Sequence, residues 1–259
     1  MPVYIDQLGR VVELPAAPRS IVSLVPSITE LLYNLQLDEA VKGITKFCVH
    51  PESWFRHKTR VGGTKAINTT VIHEIQPDLI IANKEENVKE QVDELAKHYP
   101  VWISDVNNLT DALEMIEKIG LITNRVNNAI HLISQINTAF TSLKPYNALR
   151  NACYLIWRNP YMTIGKDTFI HDMLSRCGLK NIFGHTTRYP AIDTWQLSQC
   201  DLLLLSSEPF PFQQKHIEEL KPHLPNTKMV LVDGEMFSWY GSRLLHAPAY
   251  YTSLLQSIA

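Results

Sequence analysis

No apolar run in this 259-residue chain approaches the roughly 18–20 residues a helix needs to cross a bilayer. A surplus of positive charge is missing as well. Lys and Arg number 24 against 26 Asp and Glu, a formal net charge of −2, which argues against nucleic acid as the main partner. Cysteine is sparse. Cys48, Cys153, Cys177 and Cys200 are scattered with no C-x-x-C pair, a pattern of buried thiols rather than of a disulfide framework or a zinc site. Catalytic signatures are absent too: there is no G-x-S-x-G elbow, H-E-x-x-H helix or Walker loop, so the chain is read as a non-enzyme. Gly165-Lys166-Asp167-Thr168 lacks the leading glycines of a phosphate loop, and Thr168 reads better as the cap of the following helix. The opening Met1-Pro2-Val3-Tyr4-Ile5-Asp6 has neither the basic n-region nor the apolar h-region of a signal peptide. Taken literally, that gives a cytoplasmic chain, or a periplasmic one if a leader has been removed.

What is present suits a folded α/β protein. Hydrophobic residues make up 45% and charged residues 19%, enough apolar content for a real core and too little charge for disorder. The stretch from Arg19 to Ile44 is the most informative. An apolar run, Ile21–Val25, meets Pro26-Ser27; Thr29 opens an amphipathic segment with Leu31, Leu32 and Leu35; a second β-like run, Val41–Thr45, follows. Strand, tight turn and helix form the unit of an open α/β sheet, and its turn lies where such sheets place ligands. The alternation continues with strands at Asp78–Ala82 and Val101–Ser104 and helices at Asn87–Tyr99 and Leu109–Gly120.

A long periodic stretch, Val126 to Leu143, puts Ile130, Ile133, Ile136 and Phe140 on one face, and Pro145 ends it. About 20 residues at 1.5 Å rise make a rod of about 30 Å. Beyond it the alternation restarts, with strands at Ala152–Trp157, Leu202–Ser206 and Met229–Asp233 and helices at Phe169–Cys177, Gln213–Lys221 and Leu244–Ile258. The expected organisation is an N-terminal α/β lobe over residues 1–122, a bridging helix over 123–145 and a C-terminal α/β lobe over 146–259.

Several motifs carry a resemblance. Asp6-x-x-Gly9-Arg10-x-Val12-x-Leu14-Pro15, Arg19-x-Ile21-Val22-Ser23-Leu24-x-Pro26-Ser27-x-Thr29-Glu30, Arg60-Val61-Gly62-Gly63, Ile75-x-Pro77-Asp78-Leu79-Ile80 and Asn159-Pro160-x-x-Thr163-x-Gly165-Lys166 occur in that order. Over nearly the whole chain this resembles the substrate-binding proteins of ABC transporters for cobalamin, ferric siderophores and haem. The resemblance implies two Rossmann-like lobes bridged by a single long α-helix, a shallow cleft between them, no built-in cofactor and a bulky metal chelate as ligand. A corrinoid held for ABC-type uptake or intracellular handling is the leading expectation; the alternatives are a ferric-siderophore or haem receptor, and a cytoplasmic corrinoid- or metal-related enzyme or sensor. It also implies docking to an ABC permease through one glutamate on each lobe. Those positions fall near Thr70 and Gln196, neither of them acidic, with Glu74 and Asp193 as nearby substitutes.

Ligands of open sheets sit outside the carboxyl ends of the strands. On that rule the expected contacts in the first half are Pro26, Ser27, Phe47, His50, Thr64 and Lys65. Those in the second half are Trp157, Arg158, Tyr161, Trp239, Tyr240 and Arg243. Flat aromatic faces suit a corrin or porphyrin, and Arg158 or Arg243 could meet a carboxylate or phosphate. Trp239-Tyr240 reads as a loop tip between Ser238 and Gly241, where burial is hard to arrange, and ranks first; Arg243 divides evenly between ligand and structure. His50 could coordinate the metal centre of a chelate or hydrogen-bond its periphery. A bare-metal site would have to gather His50, His171, Glu235 and His246, whose spacing matches no ligand motif.

Overall fold

A computed structural model describes residues 2–145 and 150–258; Met1, and position 146 at which the second lobe is expected to begin, lie outside the described residues. The chain divides into two compact units. The first comprises Met1–Val106, Thr110–Gln135 and Tyr240–Arg243, the second Asn107–Leu109, Ile136–Trp239 and Leu244–Ala259.

The first unit opens with an antiparallel hairpin, β1 (Val3–Ile5) and β2 (Val11–Glu13). Asp6 closes it: one carboxylate oxygen accepts the Leu8 and Arg10 amides at 2.9 and 2.8 Å, the other the Arg10 guanidinium at 2.8 Å. The Asp-x-x-Gly-Arg motif is therefore a turn. There follow β3 (Ile21–Ser23), α1 (Pro26–Asn34), β4 (Val41–Ile44), α2 (Glu52–His57), β5 (Thr59–Arg60), α3 (Thr69–Ile75), β6 (Leu79–Asn83), α4 (Lys89–Ala96), β7 (Val101–Ser104) and α5 (Leu109–Ile122). The five strands β3 to β7 form a parallel sheet in the order β5-β4-β3-β6-β7. Every residue of β3, β6 and β7 is buried, as expected of parallel strands covered on both faces. Helix α1 starts at Pro26, three residues earlier than the amphipathic pattern suggests. Proline suits the first helical position because its missing N–H would have no intrahelical partner there.

Helix α6 (Val126–Ser142) matches the expected rod to within a residue, and the division between the units falls inside it, after Gln135. The second unit contains β8 (Arg150–Leu155), β9 (Tyr161–Met162), α7 (Phe169–Arg176), β10 (Leu179–Asn181), β11 (Ala191–Ile192), a 3-10 turn (Thr194–Gln199) and β12 (Leu202–Ser206). It continues with α8 (Gln214–Leu220), β13 (Lys228–Val232), α9 (Gly234–Ser238), a second 3-10 turn (Ser242–Leu245, its first half counted with the first unit) and α10 (Ala247–Ile258). Its main sheet is parallel, in the order β10-β8-β12-β13. Thr168 caps α7 as expected, accepting the His171 amide at 3.3 Å. All four cysteines are free and buried. Both units are thus Rossmann-like α/β layers.

Candidate functional site

Strand order locates the site within each unit. In the first sheet the chain builds outward from β3 through β4 to β5, then returns to add β6 on the other side. In the second it leaves β8 for β10 and returns for β12. Open sheets bind ligands where the order reverses. The two switch points are therefore the carboxyl ends of β3 and β6, and those of β8 and β12.

The loops after β3 and β4 hold most of the expected first-unit residues. Pro26 and Ser27 form the start of α1. Ser27 is 3% exposed, and among the described residues its hydroxyl has no hydrogen-bond partner. Beneath them lies a buried polar cluster: the Thr29 hydroxyl is 2.8 Å from the Ser23 hydroxyl and 3.1 Å from Cys48 Sγ, which in turn is 3.2 Å from Thr45 Oγ1. Burial pushes the Cys48 thiol above its ordinary value, so it is a neutral packing group. Phe47 is 51% exposed, with the Lys46 ammonium 5.1 Å from its ring centroid. His50 is half-buried just before α2. Thr64 offers its carbonyl to Asn87 at 3.1 Å, and Lys65 donates to the Glu85 carbonyl at 2.6 Å.

In the second unit, Trp157 is 41% exposed and meets Phe210 edge-on, ring centroids 5.9 Å apart. Phe210 follows β12, so these two rings bracket the switch point. Arg158 is held by Glu219 of α8 at 2.6 Å. Tyr161, on β9, is half-buried against the core cluster of Cys153, Leu155 and Leu205. Glu208 accepts hydrogen bonds from the Ser238 hydroxyl and, at 3.1 Å, from the Trp239 indole. Desolvation, reinforced by Glu235 and Asp233, pushes the Glu208 carboxyl above the usual range, while those two donors pull it back.

Two expectations change. Trp239 and Tyr240 are not a loop tip: Trp239 is the residue that ends α9, and both side chains are 7% exposed. The five residues of α9 are too few to show a helical period in sequence, which is why the segment reads as a loop. Arg243 carries its own counter-ion, Glu30 of α1, at 2.6 Å. The bare-metal set does not gather, since no group of three or more His, Cys, Asp or Glu among the described residues is placed to hold an ion. His171 instead lies 3.3 Å from the Asn181 amide, and Glu235 sits on α9. Glu30 and Glu86 are the residues that sequence reasoning passed over, because each meets its tyrosine or arginine partner across more than 150 positions.

A surface depression of about 610 Å³ is lined by Arg10, Tyr99 and Pro100 at the amino end of β7. It lies at the opposite end of the first sheet from that sheet's carboxyl-end loops.

Each unit is thus a parallel sheet whose carboxyl-end loops carry an exposed aromatic ring and paired polar groups. The chain belongs to the periplasmic binding protein family, which it matches over residues 21–209. Among curated relatives, it is 24% identical over 192 residues to the vitamin B12-binding protein of Vibrio vulnificus (strain CMCP6), covering 72% of this chain and 70% of that one. Matches to proteins of the same name from Yersinia pestis reach 62% of their length. Among solved structures, the periplasmic vitamin B12 binding protein BtuF of Vibrio cholerae superposes with a TM-score of 0.74 at 19% identity, over 94% of this chain and 98% of that one. A possible iron-binding (periplasmic solute-binding) protein of Staphylococcus epidermidis ATCC 12228 gives 0.77 at 22% identity, over 94% and 99%. No helix among the described residues is long and apolar enough to cross a membrane.

Proposed function

We propose that the protein binds a bulky, largely uncharged metal chelate, a corrinoid such as cobalamin, against the carboxyl-end loops of its sheets. The observation that carries this reading is the pairing of exposed aromatic faces with spent charge. Phe47 and Trp157 offer broad apolar faces, while both arginines expected to meet an acidic ligand, Arg158 and Arg243, already face carboxylates. A neutral, amide-fringed corrin needs stacking area and hydrogen-bonding groups; a polyanionic ferric siderophore or the propionates of haem call for unspent cations. The vitamin B12-binding relatives support the same choice.

Titration of the purified protein with cobalamin, haem and a ferric siderophore, followed by absorbance and heat, tests this. Saturable binding of cobalamin tighter than about 100 μM, or about −5.5 kcal/mol, is expected. Tighter binding of haem or siderophore would replace the corrinoid with an iron chelate, and no saturable binding of any of the three would end the reading.

We further propose a periplasmic carrier that docks weakly on its ABC permease. Thr70 is exposed on α3, and the Gln196 side chain is engaged in its own turn, accepting the Asp193 amide at 2.8 Å. Neither supplies the carboxylate expected at a docking surface, where charge mainly sets encounter rate and register. Weak association with a cobalamin-class permease in nanodiscs is the expected result. Tight binding with stimulated ATP hydrolysis would show that Glu74 and Asp193 supply the docking charge.

A further inference from the structure

Four residues of the C-terminal region, Tyr240–Arg243, pack as part of the first unit, although Trp239 before them and Leu244 after them belong to the second. Their contacts are specific. Arg243 forms a bidentate pair with Glu30, Nε to Oε2 at 3.0 Å and Nη2 to Oε1 at 2.6 Å, with the two side chains only 13% and 18% exposed. One turn further along α1, the Asn34 amide donates to the Ser242 hydroxyl at 2.9 Å. Gly241, at φ +143°, presses against the start of the same helix. A Cβ there would lie 3.1 Å from the Ser27 carbonyl oxygen and 3.4 Å from Leu31 Cβ. At its other end the segment reaches the loop after β6, where the Tyr240 hydroxyl donates to Glu86 at 3.0 Å. It therefore lies along positions 27, 31, 30 and 34 of α1 and crosses to β6, over the switch point of the first sheet.

We propose that Arg243 is a positioning residue rather than a ligand contact: its ion pair with Glu30 clamps Tyr240–Arg243 onto α1 and so sets Tyr240 over the β3–β6 switch point. A fork-to-fork guanidinium–carboxylate pair suits this because it fixes orientation as well as distance, and partial burial shields it from solvent. Gly241 eases the close approach on which the clamp depends, since a side chain there would crowd the Ser27 carbonyl and sit at a backbone angle that side chains rarely adopt. The consequence for ligand affinity rests on the chelate-binding reading above; the clamp itself does not.

Two measurements separate these levels. Hydrogen exchange on the ligand-free protein reports the clamp alone: Glu30→Gln and Arg243→Ala should each speed exchange of the Gly241–Leu244 amides by about tenfold, while the β6 and β7 amides stay protected. Cobalamin titration reports the consequence: each variant should bind about tenfold more weakly, and the double variant no more weakly than Arg243→Ala, as for two groups acting as one unit. Should Arg243→Ala fail to fold, Arg243→Lys, which keeps the charge but loses the bidentate geometry, takes its place. If Glu30→Gln leaves exchange and affinity at parental values while the Arg243 variant alone loses affinity, Arg243 touches the ligand and the inference is overturned. If the parent binds no cobalamin, the functional reading fails while the exchange result still decides the clamp.

Discussion

Gly62→Ala should lower the melting temperature by roughly 5–15 °C, corresponding to a loss of about 2–5 kcal/mol. Gly62 sits at φ +93°, where a side chain is strained, and an added Cβ would approach the Ala66 carbonyl oxygen to 2.5 Å and the Asn68 amide nitrogen to 2.7 Å. Both obstacles are backbone, and the turn they form is pinned by the Gly63 amide donating to Ala66 and the Asn68 amide donating to Val61. It cannot yield without unpairing those bonds. The neighbouring Gly63→Ala is the informative control. Its Cβ would meet only side chains, the Phe47 ring at 3.1 Å and the end of Lys46 at 3.3 Å, which can swing aside. That variant should melt within about 1 kcal/mol of the parent yet alter ligand affinity, because the ring it displaces is a proposed contact. Thermal melting of both variants checks the pair. Equal, small shifts would mean that the turn after β5 is soft and that the Gly-Gly pair serves something other than backbone geometry.

The Gly62 case explains what was legible in the sequence. Strands β3, β6, β7 and β12 could be read because parallel strands covered on both faces are continuous apolar runs. The hairpin β1–β2 could not, since it is short and most of its apolar side chains face outward, Val3 at 57% and Val11 at 61% exposed, with Val12 alone of its valines buried. The motifs that carry the family resemblance prove to be largely geometric: Asp6 closes a turn, Pro26 opens α1, Gly62 permits a left-handed bend, and Thr163 donates to the Tyr154 carbonyl at 2.8 Å. Such residues announce a fold and leave the ligand unnamed. The strand-end rule assigns candidate contacts to loops without saying which way a side chain turns. Phe47 and Trp157 turn outward; Trp239 and Tyr240 turn in. The partners that decide Arg243 and Tyr240, namely Glu30 and Glu86, lie 213 and 154 positions away, beyond the reach of any local pattern.

Trp239→Ala should therefore be a stability mutant first, in contrast to its expected role as a ligand anchor. The side chain is 7% exposed, and truncating a buried aromatic costs about 3–5 kcal/mol. A second cost adds to the first. The indole N–H is one of two side-chain donors to Glu208, a carboxyl already pushed up by desolvation and by the nearby Glu235 and Asp233. Removing a donor weakens the ionised form alone. With its folded-state pKa above the ordinary 4.5, Glu208 withdraws stability as pH rises from about that value through the raised one, and Trp239→Ala should steepen this decline. The variant's deficit in melting temperature should thus be larger at pH 8 than at pH 4. Trp157→Ala should show the opposite division. At 41% exposure it stands to lose little packing, so its melting temperature should remain close to that of the parent while cobalamin affinity falls about 5- to 150-fold, or about 1–3 kcal/mol. Melting scans across pH, paired with titrations of the same preparations, separate the two tryptophans. A Trp239 variant that melts normally and loses only affinity would return it to the ligand surface. A Trp157 variant with unchanged affinity would remove the exposed aromatic face on which the corrinoid reading depends.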